Sequence, residues 1–366
     1  MSEKRYEVPI GIEIATQWAW RLLVIGVTGL GIVWLMRYFS EITVPIAVAV
    51  LGTALLIGAV DWLDAKGLPR VAATFVVVIA MLVAFFGMIA LVGQQLSTQV
   101  TDLRTSVVDG ISKVQDWAGG EPLNLSDSQI QRYIDNAKEA ISTTDTSSWL
   151  VTAGHVGTTV THFVAGFFIA LFALFFFLYE GNRIWSWIVA LFPAEAREKV
   201  DSSGHTAWSS LTKFVRATVI VAATDAIGIA LAAWILGVPL TFAIAVLVFL
   251  GAFIPIVGAF VSGLVAVLVA LVAQGPVVAL LMLAAVVAVQ QLESHVLQPF
   301  LMGRFVAVHP LAIILAIGAG ITVAGIVGAL IAVPLAACLN GVVKHLVEAA
   351  RPFQDEPEPE PESEGS

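Results

Sequence analysis

Charge is scarce in this sequence. Only 12% of its 366 residues are Asp, Glu, Lys or Arg, whereas 58% are hydrophobic and the mean hydropathy is +0.92. A soluble domain carries about 25% charged residues. A chain with half that fraction lacks the polar surface of a soluble fold, so its apolar excess must face lipid or other apolar helices. Cysteine is nearly absent. The single Cys338 excludes an internal disulfide and any cysteine-based zinc site. Placed in an apolar run, it reads as a small buried hydrophobe. Basic excess is missing too. The formal net charge is -9, and Asp355, Glu356, Glu358, Glu360, Glu362 and Glu364 supply six acids in a tail without a base, leaving the rest near -3. That balance gives no electrostatic footprint for nucleic acid.

Catalytic strings are also lacking. There is no GxxxxGK[ST] loop and no HExxH pair, and no nucleophile, base and orienter can be assembled. His155, His162, His205 and His345 stand isolated and read as incidental. The expectation is a protein that is not an enzyme and needs no metal or cofactor. A cleavable leader is not expected either. The first apolar run starts near Trp18, and no small-residue cleavage site follows it.

What the sequence does have is long hydrophobic runs. About 20 apolar residues make a spanning helix. Trp20–Met36, Val44–Trp62, Val71–Val92, Val156–Tyr179 and Ala217–Leu236 each qualify. From Val238 to Leu339 the chain is almost continuously apolar. Pro239–Ile254 and Ile256–Ala273 are short and separated by Pro255 and Gly258, which predicts a broken or re-entrant pair. Pro276–Leu292 forms the next helix, and Phe305–Leu339 is too long for one untilted span and rich in glycine, so it should break as well. The fold expected is an all-α polytopic transmembrane helix bundle of about eight membrane segments.

The chain divides into N-terminal transmembrane helices (1–93), an extramembrane helical hairpin (94–155), a C-terminal transport region (156–350) and an acidic tail (351–366). In the insert, Leu96, Val100, Leu103, Val107, Ile111 and Val114 recur at helical steps, continuing the third span out of the bilayer. Ser126 and Gln129 form a capping box for a second helix. The hairpin either packs on itself or serves as an oligomer contact or lid. Ala194–Phe214 mixes charges with Trp208, Leu211 and Phe214, as a helix lying in the membrane interface does. The Pro/Glu tail from Pro352 cannot build a core. Lys4, Arg5, Arg21, Lys66, Arg70, Arg183, Arg197, Lys199, Lys213 and Arg216 fall on one side of this layout, and few bases fall on the other. That bias predicts a cytoplasmic N-terminus in a plasma (inner) membrane, with the insert outside.

Three features could carry chemistry. Asp225 is the only charge in Ala217–Leu236 and sits near its middle, at an insertion cost of about 2.5–3.5 kcal/mol. Thr218, Ala222, Gly228 and Ala232 make a small-residue stripe on its side, which marks a packed face. Such a carboxyl either trades a proton or cation, or simply hydrogen-bonds within the packing. The second feature is a polar patch. Gln291, Ser294, His295 and Gln298 share one helical face, with Gln290 and Glu293 on the adjoining one. Arg304 and His309 follow in the same connection. The patch either lines a solute path or is a surface loop. The third is the pair of breaks, Phe253–Gly258 and Gly325–Gly328 with Pro334 nearby, where unwound backbone could bind ions or anionic groups.

The Ile254–Gly258 break, the stretch QLESHVLQPFLMGRFVAVHP from Gln291 to Pro310, and GIVGALIAVPLAA from Gly325 to Ala337 resemble the autoinducer-2 exporter family of membrane transporters. The similarity in layout covers about 330 residues. It implies a bacterial inner-membrane permease with about eight spans, assembled as a homo-oligomer. It also implies export of the signal autoinducer-2 or exchange of sodium or lithium for protons. Pro255, Gly258, Glu293, Pro299, Gly303, His309, Pro310, Gly325 and Gly328 match the family pattern, without a role for any of them. Taken together, the residues predict a secondary transporter for a small polar solute or cation, coupled to protons. The alternatives are a sodium–proton antiporter and a scaffold for envelope partners that transports nothing.

Overall fold

The computed structural model describes residues 10–119, 148–254, 257–297 and 309–349. Among them there is no strand. The helices are α1 (Ile10–Tyr38), α2 (Ser40–Ala65), α3 (Arg70–Gly119), α4 (Ser148–Ala190), α5 (Ala194–Ile235), α6 (Thr241–Gly251), α7 (Val257–Gln274), α8 (Pro276–Leu292) and α9 (Pro310–Ala349). A π-helical turn, Glu293–Leu297, continues α8. Eight helices are long and apolar enough to cross a membrane, which matches the all-α polytopic bundle expected from the apolar runs.

The helices pack as two groups. Ala49 and Val60 of α2, Ala73, Val77 and Val78 of α3, and Leu174 and Leu178 of α4 form one buried cluster. Ala226, Ile229 and Ala233 of α5, Ile244 and Val248 of α6, Ala266 and Ala270 of α7, and Met282 and Val286 of α8 form another. Leu211 and Val215 of α5 meet Ala54 of α2 between them. By contrast α1 has every side chain described exposed, Trp18, Trp20, Leu30 and Trp34 among them. Apolar all round and hardly packed on its own chain, α1 fits a lipid environment.

The break in α4 has a visible reason. At Glu180 α4 leaves helical geometry (φ -120°, ψ 26°), which frees carbonyls from the helical ladder. The Arg70 guanidinium supplies the missing donor: its Nε lies 3.3 Å from the carbonyl oxygen of Leu178 and 3.2 Å from that of Tyr179. Asp61, at 3.4 Å, and Asp64, at 3.8 Å, hold the same guanidinium from the end of α2. The turn from α4 to α5 is fixed by Trp185, whose indole Nε1 donates to Asp201 at 2.7 Å and whose ring covers Gly204.

The stretch Ala194–Phe214 is not a separate interfacial helix. It is the first half of the 42-residue α5, which runs unbroken from Ala194 to Ile235. Tertiary contacts hold this half against α9. Ser202 hydrogen-bonds His345 of α9 at 2.5 Å, and Ser210 lies against Gly341, where an added Cβ would come within 2.8 Å of its hydroxyl. In the insert, α3 continues as helix to Gly119, 50 residues in all. That is about 75 Å long, against a hydrocarbon core of about 30 Å. The capping box at Ser126 and Gln129 lies outside the described residues.

Both glycine-rich segments of the C-terminal half fold back on themselves. With 11 residues, α6 is roughly 16 Å long, too short to span. It turns through Ala252–Ile254 into α7, and Gly251 meets Gly258 backbone to backbone. The chain of α9 breaks at Ala324 (φ -141°) and Gly325 (φ 59°). Gly325 supplies the left-handed geometry that a side chain resists. Beyond the break Gly320 touches Gly328, and a Cβ built on Gly320 would come within 2.9 Å of the Ala332 Cβ. Residues twelve apart in a straight helix are about 18 Å apart, so α9 is a hairpin of two arms. Ile317 from one arm buries against Ala329 and Val333 of the other. Ile254, from the turn of the α6–α7 hairpin, packs on that same cluster, as does Phe214 of α5.

Candidate functional site

Asp225 is only 3% exposed. It sits on the face of α5 that also buries Ala222, Ala226, Ile229 and Ala233. Three of them are alanines, and α8 crosses close by: a Cβ added to Gly228 would lie 3.0 Å from the Val289 Cγ2. One turn before Gly228 is Asp225, and one turn after Val289 is Glu293, so the two helices run antiparallel and bring the two acids together. The Glu293 carboxyl stands beside that of Asp225, and two carboxyl groups can share a hydrogen bond only with a proton on one of them. Asp225 Oδ1, in contrast, is fully buried and has no hydrogen-bond partner among the described residues. Leaving such an oxygen unsatisfied costs about 1–3 kcal/mol, more for a charged group.

Asp225 lies ten residues before the end of α5 at Ile235, about 15 Å at the helical rise. The π-turn Glu293–Leu297 re-aims the end of α8 at this level, and such bulges frequently mark functional positions.

The rest of the polar patch divides by face. Gln290 is half-buried on the Glu293 side, whereas Gln291, Ser294 and His295 are exposed. The His295 Nδ1 is 3.1 Å from the carbonyl oxygen of Gln291 and 3.0 Å from the Ser294 hydroxyl, a local set of contacts. The inward side is therefore the Gln290–Glu293 side and not the face that gathers Gln291, Ser294 and His295. His309 is exposed just before α9, where its Nδ1 accepts from the Leu311 N–H at 3.2 Å. Pro255, Gln298, Pro299, Gly303 and Arg304 lie outside the described residues.

At the hairpin turns the backbone is mostly bonded. Ala252, Phe253 and Ile254 donate to the carbonyls of Val248, Leu250 and Gly251 at 2.9, 3.4 and 2.9 Å, and the Gly258 N–H donates to the Ile254 carbonyl at 2.9 Å. Gly258 and Gly328 are helical residues buried at the arm crossings, and of the glycines singled out that are described, Gly325 is the one at a break. Ser262 is buried beside the first crossing and donates back to the Gly258 carbonyl at 2.8 Å. These groups are bonded within the turns, whereas Asp225 Oδ1 has no partner among the described residues.

Sequence patterns gave no signal for two polar residues that tie helices together. Gln95 of α3 accepts from the Ala243 N–H of α6 at 3.0 Å. Arg216 of α5 lays its guanidinium over Gly58 of α2. A cavity of about 320 Å³ lined by Ser186, Val189, Arg197, Glu198 and Asp201 sits at the α4–α5 turn, at the opposite end of α5 from Ile235 and far from the pair.

The sequence pattern of a family described as "AI-2E family transporter" matches residues 22–348. Three similar proteins carry the name "Putative transport protein". MT0215 of Mycobacterium tuberculosis (strain CDC 1551 / Oshkosh) is 41% identical over 340 residues, 92% of each chain. YrrI of Bacillus subtilis (strain 168) is 25% identical over 86% of this chain and 88% of its own length. YueF of the same organism is 25% identical over 77% of this chain and 78% of its own.

Proposed function

Because the chain belongs to the AI-2E transporter family, we propose that it is a secondary transporter that moves a small polar solute or a cation out of the cell in exchange for protons, with Asp225 and Glu293 as the exchange site. The observation that carries this reading is the Asp225–Glu293 carboxyl pair, in which Asp225 is buried, Glu293 is half-buried and one Asp225 oxygen has no partner among the described residues. While one proton is held between the two groups, the pair carries a single negative charge. Release of that proton leaves two carboxylates side by side, which repel each other in a low dielectric. A cation placed between them, or a donor group of a polar solute, relieves that repulsion, so proton and cargo exclude each other. Mutual exclusion at one site is what couples two fluxes. Gln290 adds an amide on the same side of α8.

The two hairpins supply the access. The turn of the α6–α7 hairpin and the α9 hairpin meet at the cluster of Ile317, Ala329 and Val333. Paired broken helices about a site at the bilayer midplane are a recurrent transporter plan. Lys66, Arg70, Arg183, Arg197 and Lys199 gather where α2 turns into α3 and α4 into α5, which supports a plasma (inner) membrane orientation with that end, and the N-terminus, in the cytoplasm.

Carboxylate oxygens are hard ligands and suit hard cations; sodium and lithium, the cations that the family resemblance implies, are of that kind. Purified protein in proteoliposomes with an internal pH dye tests both forms of the reading. Sodium or lithium pulses are expected to move protons in the wild type and not in Asp225→Asn or Glu293→Gln. Proton-coupled flux that is unchanged in both variants removes the pair from coupling. A wild type that moves protons only with a polar organic solute selects that cargo over the cations.

A further inference from the structure

A Ser, Thr, Asp or Asn side chain before a helix can accept from an N–H of the first turn, but no side chain of the preceding residue does so at α2, α5, α6 or α8. The residue before α6, Leu240, makes no side-chain capping bond and is held in the left-handed region at φ 58°, a strained conformation for a branched side chain. Thr241, at the first helical position, donates backward to the Val238 carbonyl at 2.9 Å and so satisfies no first-turn N–H. The donor that is capped, the Ala243 N–H, is met by Gln95 Oε1 from α3.

That bond joins α6 to α3, which packs along both arms of the hairpin as well as against α2 and α4. The core side chains of α3, Ala73, Val77 and Val78, lie in the α2–α4 cluster, whereas Ile244 and Val248 of α6 lie in the α5–α8 cluster. The other end of the hairpin is tied within its own group: Gln274, at the end of α7, donates from Nε2 to the Gly237 carbonyl at 2.8 Å. A local cap would travel with α6 wherever the hairpin moved. A cap lent by α3 exists only while the two groups touch.

We propose that Gln95 is a latch that holds the α6–α7 hairpin shut against α3, and that opening of the hairpin requires release of its bond to Ala243. The strained residue next to the capped turn makes the start of α6 the place where opening begins.

The test uses the full-length protein in nanodiscs with Cys338→Ser. A reporter thiol is placed at the hairpin turn (Ala252→Cys) and, in a separate protein, a reference thiol at the far end of α4 (Ser186→Cys). Maleimide labelling rates are read without any transported solute, so the result stands apart from the success or failure of the flux assay. Gln95→Leu is expected to speed labelling at position 252 by about two- to tenfold, the ratio set by one net hydrogen bond, and to leave position 186 unchanged. Gln95→Glu keeps an acceptor oxygen and is expected to label at the wild-type rate. An unchanged rate at 252 in Gln95→Leu, an equal rise at both positions, or a Gln95→Glu rate as fast as that of Gln95→Leu each overturns the latch.

Discussion

The α9 hairpin makes a sharp prediction from two glycines on one arm. Gly318 has nothing within 4 Å of where a Cβ would stand, whereas a Cβ on Gly320 would enter the Gly328 carbonyl and come within 2.9 Å of the Ala332 Cβ. Both positions are helical. At Gly318 alanine therefore meets no obstacle and removes the backbone-entropy penalty of glycine, a gain of about 0.5–1 kcal/mol. Gly320→Ala has the same helical gain but must push the arms apart by roughly an ångström or strain the backbone, and overpacking of this kind costs about 1–3 kcal/mol. Ile317, Ala329 and Val333 would be prised open with the arms. The two substitutions should thus move stability in opposite directions although they lie two residues apart. Thermal melting of the purified proteins in the same detergent reads this directly: Gly318→Ala at or above the wild type, Gly320→Ala below it. If the two variants melt together, the arms do not cross at Gly320 and α9 is not a tight hairpin.

The same logic extends elsewhere. Asp225→Asn is expected to melt higher than the wild type, because an amide beside Glu293 removes the repulsion between two neighbouring carboxyls, while its proton-coupled flux falls at least tenfold; a variant that melts lower and still transports refutes the exchange role. Acidification that keeps both carboxyls protonated should slow exchange by blocking cargo entry, and a flux that keeps rising as the pH falls on both sides contradicts proton–cargo competition. Arg70→Leu removes the donor shared by the Leu178 and Tyr179 carbonyls, so a loss of about 1.5–3 kcal/mol is expected, read as a lower midpoint in a denaturant titration. Gly204→Ala must displace the Trp185 ring and break its bond to Asp201, which a change in tryptophan fluorescence relative to a Trp185→Phe control would report.

Much of this architecture was legible because hydropathy and helix breaking are local properties. The apolar runs fixed a multi-pass bundle, and Gly258 and Gly325 flagged both folded-back segments of the C-terminal half. The separate interfacial helix expected at Ala194–Phe214 is absent because amphipathicity does not say what covers the apolar stripe; Leu211 and Val215 are covered by α2, and α5 runs unbroken. The polar patch was found as a patch, but its inward edge was not, since a five-residue π-turn shifts the register of faces that an ideal helix would present.

Sequence alone determined the medium of this protein. Lipid demands long apolar helices with their backbone groups bonded within each segment, and that demand is written residue by residue. It also singled out Asp225 as an expensive charge. Only the tertiary structure decided that Asp225 meets Glu293, that Gly320 meets Gly328 and that Gln95 caps α6. Each of these contacts depends on how far one helix slides along another, a quantity set by packing across tens of residues and carried by no local pattern.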